Sequence, residues 1–371
     1  MIKLSPFNPM FGKRPPIFVG RMDIIENLLQ SYHDPNAPER ITILSGVRGC
    51  GKTSILSDIT SMLEGNSDWI VINASSTEHL LENIIGMFEL KLDEKKGQSQ
   101  IGIDSISVGL PLVNMKVGLS SKDNTNPLGF YPRLYKLLSI CKEMELKVLF
   151  SIDEVNNTKD VKEFIASYQL LYRENFDICL LMAGLPHLID SVLNDEVLTF
   201  LKRANRITLS TIDAYTFKIE YERIFHENGF IIEPDGIDLA YRSTGGYPYL
   251  FQLIGYFLWK MDDKRINLPN VNKAIEQSKG MLYQNVYDIV FRELSAMEQE
   301  FLRAMSEEGN KSEIQVVRDK LKKDSAYINN YRNRLIKRGI IQSAGFGVVA
   351  FVLPFFGDFI LESVTEIKSS P

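Results

Sequence analysis

The stretch Gly46-Val47-Arg48-Gly49-Cys50-Gly51-Lys52-Thr53 follows the apolar run Ile41-Thr42-Ile43-Leu44 and precedes a helical pattern. It matches G-x-x-x-x-G-K-[ST], with strand, loop and helix in the order that a phosphate-cradling loop requires. Few features restrict a fold this far, because such a loop needs a buried strand behind it and a helix in front. Gly46, Gly49 and Gly51 let the backbone curl with its N–H groups inward. Cys50 and Ser54 complete the loop and the first helical turn, whose free amides and partial positive charge favour an anion. Lys52 can reach the outer phosphates of a triphosphate, and the Thr53 hydroxyl can join the shell of a Mg²⁺ that keeps most of its waters.

A second motif speaks to metal handling. Lys147-Val148-Leu149-Phe150-Ser151-Ile152-Asp153-Glu154 reads as a buried parallel strand ending in two carboxylates. This is the pattern of a Walker B strand, in which Asp153 holds the Mg²⁺ through its water shell and Glu154 polarises the attacking water. The turn and cap residues Asn156, Asn157 and Thr158 follow.

With both motifs present, the chain resembles P-loop ATPases of the AAA type, in the branch shared by replication-initiator ATPases and STAND signalling ATPases. Pro16-Ile17-Phe18-Val19-Gly20-Arg21 resembles that branch's entry motif, which walls the adenine pocket, so Val19 is a candidate base contact. Ser243-Thr244-Gly245-Gly246-Tyr247-Pro248-Tyr249-Leu250 resembles the Gly-x-Pro segment opening a lid helix, with Pro248 over the nucleotide. Asp177 to Gly184 takes the fourth-strand position. The resemblance spans most of residues 16 to 270 and implies ATP and Mg²⁺ as ligands.

The departures matter as much. The fourth strand ends in Met182-Ala183-Gly184, which offers no polar side chain to a γ-phosphate. No arginine stands in the first lid turn, where Tyr249, Leu250, Phe251 and Gln252 follow Pro248. Lys202, Arg203 and Arg206 stand where the resemblance puts an arginine acting on a neighbour's γ-phosphate, and Arg203 is the catalytic candidate among them. A helix end that favours basic residues produces the same composition.

The rest of the chain is read in periods of 3.6 and 2. Strands are expected at 41–45 and 69–72 and helices at 77–92 and 129–145. An α/β fold with a parallel sheet covered by helices follows from that alternation. Residues 1–15 read as an extension, 16–212 as the ATPase core, and 95–127 as an insertion that is either strands or a loop. Helical patterns at 213–228, 236–243, 248–262 and 270–295 give an α-helical lid with a connecting helix.

Residues 296–371 read as a separate unit resembling a winged helix, with helices at 296–307, 312–322 and 324–338 and a hairpin around Gly345-Phe346-Gly347. From Lys311 to Arg338 nine bases face three acids, on a chain of net charge −5. Such a patch suits phosphate attraction, with Asn329, Arg332, Arg334, Lys337 and Arg338 as candidate contacts to double-stranded DNA. A solvated face also carries charge of this kind.

At 371 residues, 44% hydrophobic and 24% charged, the chain has room for two or three domains. Met1 to Phe18 carries Lys3, Lys13, Arg14 and prolines in place of an apolar segment, so a cytoplasmic protein outside the membrane is expected. Three cysteines and four histidines lie scattered without zinc spacing. The expected function is an ATPase, slow without a partner, whose nucleotide state controls a DNA-binding winged helix. The alternative is a STAND-like ATP/ADP switch acting on a protein partner, for example in defence; a homo-oligomeric motor and a regulator using nucleotide only structurally are further classes.

Overall fold

The computed structural model describes residues 4–10, 19–100, 129–196, 198–261 and 263–369. Most of the expected 95–127 insertion, and Pro16, Ile17 and Phe18 of the entry stretch, lie outside them.

The N-terminal half alternates as expected. After α1 (Met22–His33) come β1 (Ile41–Ser45), α2 (Lys52–Glu64), β2 (Trp69–Ser75), α3 (Leu80–Gln100), α4 (Phe130–Glu143), β3 (Lys147–Asp153), α5 (Lys159–Arg173), β4 (Ile178–Gly184), α6 (Pro186–Leu193) and β5 (Asn205–Thr208). The five strands form one sheet in the order β2-β3-β4-β1-β5, every neighbour parallel. Both faces are buried, and the period of 2 sorts the strand residues between them. Ile43, Ile72, Phe150, Ile152, Leu180 and Met182 join the core under α3, α4 and α5. Leu44, Val71, Leu149, Leu181 and Ala183 join the core under α1 and α2. A parallel sheet so arranged brings the C-terminal ends of β1, β3 and β4 to one edge, where ligands of open α/β sheets bind.

The chain then turns helical: α7 (Ala214–Glu227), the short strand β6 (Ile231–Ile232), α8 (Pro234–Thr244), α9 (Pro248–Lys260), β7 (Arg265–Ile266) and α10 (Leu268–Leu282). Asp213 caps α7, and Asn267 with Asn270 forms a reciprocal box at α10. The core here is aromatic, with Phe217, Tyr221, Phe225 and Phe251 in mutual edge and stacked contact. The β6–β7 pair was not expected; each strand is only two residues long and leaves no measurable period.

The single helix expected over 270–295 is α10, a π-type turn at Tyr283–Tyr287 and α11 (Asp288–Arg292). Tyr283 and Tyr287 both pack on Phe359, at 5.3 and 5.8 Å between ring centroids. Two rings four residues apart reach one partner, and the widened turn lies between them.

The C-terminal unit runs α12 (Ala296–Ser306), β8 (Lys311–Glu313), α13 (Ile314–Leu321), α14 (Ser325–Lys337), β9 (Ile341–Gly345), β10 (Val348–Phe351) and α15 (Phe356–Ser369). Its three strands form an antiparallel sheet in the order β8-β10-β9. The helix expected at 312–322 therefore starts two residues late, its first residues being taken into the sheet. Helix α15 was not expected; Phe356, Phe359 and Ile360 bury it in the C-terminal core. That core also takes in Tyr247, Tyr249, Leu250 and Leu253, so the lid and the C-terminal unit are packed together. Among the described residues, no helix is long and apolar enough to cross a membrane.

Candidate functional site

A cavity of about 330 Å³ opens where β1 and β3 end. Its lining brings together Val19, Gly49, Cys50, Gly51, Lys52, Thr53, Ser54, Asp153, Glu154 and Pro248, candidates from four separate stretches of the chain. Gly46 lies just behind it, where an added Cβ would stand 2.5 Å from Cys50 Sγ.

The loop geometry follows from its glycines. Gly49 has φ +74° and Gly51 φ +97°, a region that side chains other than glycine rarely adopt. Gly51 is the N-cap of α2, so the helix starts at Lys52 with its first amides turned to the cavity. Lys52 Nζ donates to the carbonyls of Gly46 at 2.8 Å and Val47 at 3.0 Å, folded over its own loop. Cys50 is buried, and burial pushes its thiol above the ordinary range, which makes it a structural filler.

The carboxylates come from the end of β3. Thr53 Oγ1 donates to Asp153 Oδ2 at 2.6 Å, across a hundred positions of sequence. Asp153 Oδ1 accepts from the Glu154 backbone N–H at 2.8 Å. Glu154 itself has φ +54°, a costly conformation for a residue with a Cβ. The strand ends there, and the Glu154 side chain lines the cavity beside Asp153.

β4 agrees with the departure seen in the sequence. An added Cβ at Gly184 would lie 2.9 Å from the Val155 carbonyl and 2.9 Å from Ile189 Cδ1. Close packing of α6 leaves this strand end no side chain to offer.

Several lining residues escaped sequence reasoning: Asn8, Pro9, Met10, Arg21, Ile212, Tyr249, Phe251 and Gln252. Arg21 belongs to the entry motif, and its guanidinium donates to the Ser210 carbonyl. Tyr249, Phe251 and Gln252 stand in the lid turn after Pro248, where only the absence of an arginine was noted, and Asn8, Pro9, Met10 and Ile212 carry no motif. Tyr247 was also missed as a contact: its hydroxyl donates to the Arg48 carbonyl at 2.5 Å, and a Cβ on Gly49 would collide with it. Arg48 pairs in turn with Glu293 at 2.8 Å, and Val47 lies against Gly339 of the C-terminal unit. The outer side of the phosphate loop is thus gripped by lid, linker and C-terminal unit at once.

The remaining candidates lie elsewhere. Arg203 ends a 3₁₀ turn (Thr199–Arg203) before β5, whereas Leu209 just after β5 bonds to Ser45 beside the loop. Arg203 is exposed at the far end of that strand and does not reach the cavity of its own chain. Arg206 is exposed and donates to the Lys202 carbonyl at 3.0 Å.

The basic patch is partly spent inside the fold. Glu298, fully buried on α12, holds Arg334 Nε at 3.3 Å and Arg338 Nε at 3.4 Å. Burial alone would raise the Glu298 carboxyl, but the Ser295 cap bonds and the two arginines outweigh it and hold it below its ordinary value. Arg332 is half-buried, and Lys320 pairs with Glu307 and Glu308. The exposed residues of α14 are Ser325, Ala326, Asn329, Asn330, Asn333, Arg334 and Lys337, with Lys322 and Lys323 just before it. The sequence count treated all nine bases alike, because a buried acid on another helix leaves no local trace.

No curated protein matches the chain. Residues 284–360, from the π-type turn into α15, match a family described as "Domain of unknown function (DUF8462)". Among solved structures, the Walker-type ATPase PABY2304 of Pyrococcus abyssi superposes with a TM-score of 0.67 at 18% identity, covering 94% of this chain and 97% of that one. Cdc6p from Pyrobaculum aerophilum gives a TM-score of 0.49 at 16% identity over 97% of each chain. The Orc1 protein of Aeropyrum pernix, solved in complex with DNA, gives 0.47 at 13% identity over 95% of each chain. With its parallel five-stranded sheet and the glycine-rich loop after β1, this chain shares the fold of that Walker-type ATPase.

Proposed function

We propose that the chain binds ATP with Mg²⁺ and hydrolyses it, and that the nucleotide state positions its C-terminal unit. The observation that carries this is the 2.6 Å bond from Thr53 to Asp153. Two residues a hundred positions apart, each suited to the shell of one metal, meet beside an amide-lined loop. Hard oxygen donors of this kind fit Mg²⁺. A bound Mg²⁺ supplies charge neutralisation across the outer phosphates. Lys52 exchanges the Gly46 and Val47 carbonyls for phosphate oxygens, and Glu154 accepts the proton of the attacking water. The apolar end of the cavity, with Val19, Ile212 and Pro248, takes the base.

Turnover in an isolated chain is slow on this reading. Gly184 leaves the fourth strand without a sensor, the lid turn lacks an arginine, and Arg203 and Arg206 lie outside the cavity of their own chain. An arginine supplied in trans contributes about 10³ to 10⁵ in rate.

The C-terminal order of helix, strand, two helices and hairpin supports a winged helix, with α14 as its presented helix and Gly345-Phe346-Gly347 as the wing tip. Double-stranded DNA is the partner we assign to it. Asn329, Asn330, Asn333 and Lys337 offer hydrogen bonds more than charge, so the contact is less salt-dependent than nine free bases would make it. A second reading, an ATP/ADP switch that signals to a protein, is favoured by the grip of the lid and the C-terminal unit on Val47 and Arg48.

Calorimetry with ATP and Mg²⁺ tests the site: binding is expected for the chain and lost in Lys52→Ala. Absence of heat with folded, unaltered protein ends the proposal. Labelled duplex DNA titrated with and without ATP separates the two partners; no DNA binding in either state leaves the protein switch.

A further inference from the structure

Tyr247 is a side chain through which the lid touches the outside of the glycine-rich loop. It is 2% exposed, and its ring lies over Gly49, where a Cβ would collide with it. Its backbone is fixed from two sides: the Tyr247 N–H donates to the Thr244 carbonyl at 3.0 Å, and the Gly246 carbonyl accepts from the Ile212 N–H at 2.8 Å. Gly246 has φ +76°, and a Cβ there would run into the Ile212 backbone, so only glycine brings the chain in this close. Beyond Tyr247, Leu250 and Leu253 of α9 bury with it in the core shared with the C-terminal unit. The place of the phenol is thus set by the lid and the C-terminal unit.

Its hydroxyl donates to the Arg48 carbonyl at 2.5 Å. Across a planar trans peptide the carbonyl and the following N–H point opposite ways. A hydroxyl that holds the Arg48 carbonyl on the lid side therefore turns the Gly49 N–H away from the lid, and Gly49 lines the cavity. An inward amide is what an anion-binding loop needs. Lys52 holds the two preceding carbonyls, those of Gly46 and Val47, from within the loop, whereas that of Arg48 is held from outside. Gly49, without a Cβ, resists rotation of this peptide plane little, so the outside anchor decides its orientation. Donors fixed in advance cost no reorganisation when a charge arrives.

We propose that Tyr247 is a positioning residue for phosphate: its hydroxyl sets the Gly49 amide, so that the loop grips a polyphosphate firmly only while the lid is seated. The inference rests on the ATP-site reading above. It gives the lid a way to register phosphate through the loop backbone, in a chain with no polar side chain at Gly184 and no arginine in the first turn after Pro248. Linkage makes the coupling reciprocal: if a seated lid tightens phosphate binding, bound phosphate seats the lid by the same factor.

The test compares inorganic tripolyphosphate and ATP, each with Mg²⁺, on the full chain and on Tyr247→Phe, which keeps the ring and removes the hydroxyl alone. Calorimetry is expected to show both ligands bound about tenfold more weakly by Tyr247→Phe. Hydrogen exchange gives the second readout. Saturating tripolyphosphate, which has no base to touch the lid, is expected to slow amide exchange in α9 of the unaltered chain and to do so far less in Tyr247→Phe. A merely structural role would speed exchange in the unliganded variant and leave that ligand-induced protection in place, which overturns the proposal. Unchanged tripolyphosphate affinity in the variant overturns it too, as does absence of protection in the unaltered chain. Failure of the unaltered chain to bind either ligand removes the nucleotide site itself, a different result from loss of the coupling.

Discussion

At the scale of single residues, the site depends on two conformations that an ordinary side chain resists. Gly49 at φ +74° keeps the loop open to a phosphate and leaves room for the Tyr247 hydroxyl. Glu154 at φ +54° accepts backbone strain at the end of β3, in keeping with strain concentrating at functional positions. Its neighbour Asp153 is already engaged by Thr53, so the proposed function gives metal handling and water activation to different carboxylates. Glu154→Gln therefore retains ATP affinity and lowers single-turnover hydrolysis by about 10² to 10⁴. A variant that loses binding and turnover together would assign Glu154 to the metal shell instead.

At the scale of elements, Glu298 holds the C-terminal unit together. It closes a capping box with Ser295 at the start of α12 and binds Arg334 and Arg338 near the end of α14. Loss of a cap costs about 1 kcal/mol, and stranding two half-exposed arginines adds a comparable amount. Glu298→Ala is expected to lower stability by about 1–3 kcal/mol in urea unfolding, and Glu298→Gln by less, since the amide can still cap. Either variant frees both arginines, so any DNA affinity should rise and its salt dependence steepen. A variant as stable as the parent would mean that the pairs contribute nothing.

At the scale of the whole molecule, the phosphate loop is also a joint. Arg48 meets Glu293 and Tyr247, Val47 meets Gly339, and His187 at the start of α6 lies in the same contact with Arg338. Burial, and then Arg338, hold His187 below its ordinary pKa, with Glu293, Glu298 and Asp190 acting the other way; its Nδ1 has no hydrogen-bond partner among the described residues. The unfolded histidine takes up a proton near pH 6.5, before the folded one can, so stability falls as the pH drops below about 6.5 until the lowered folded value is reached. Glu298, also lowered, contributes stability above its ordinary pKa that is lost as the pH falls through its folded value. Scanning calorimetry between pH 7 and 5 is expected to show a falling midpoint, and His187→Gln to remove much of that slope. An unchanged slope would clear this histidine.

Much of this was legible without coordinates. The loop from Gly46 to Thr53, the Asp153-Glu154 strand end and the alternation of the sheet are local patterns whose physics acts within a few residues, and these fix an α/β core with an amide-lined loop beside two carboxylates. The absence of a side chain at Gly184 could be read in the same way. What the tertiary structure alone decided is which distant groups meet. Phe7 finds Gly255, Tyr247 finds the Arg48 carbonyl, and Glu298 claims Arg334 and Arg338. These contacts depend on packing between elements far apart in sequence, where shape and burial choose the partner and no short-range period records the choice.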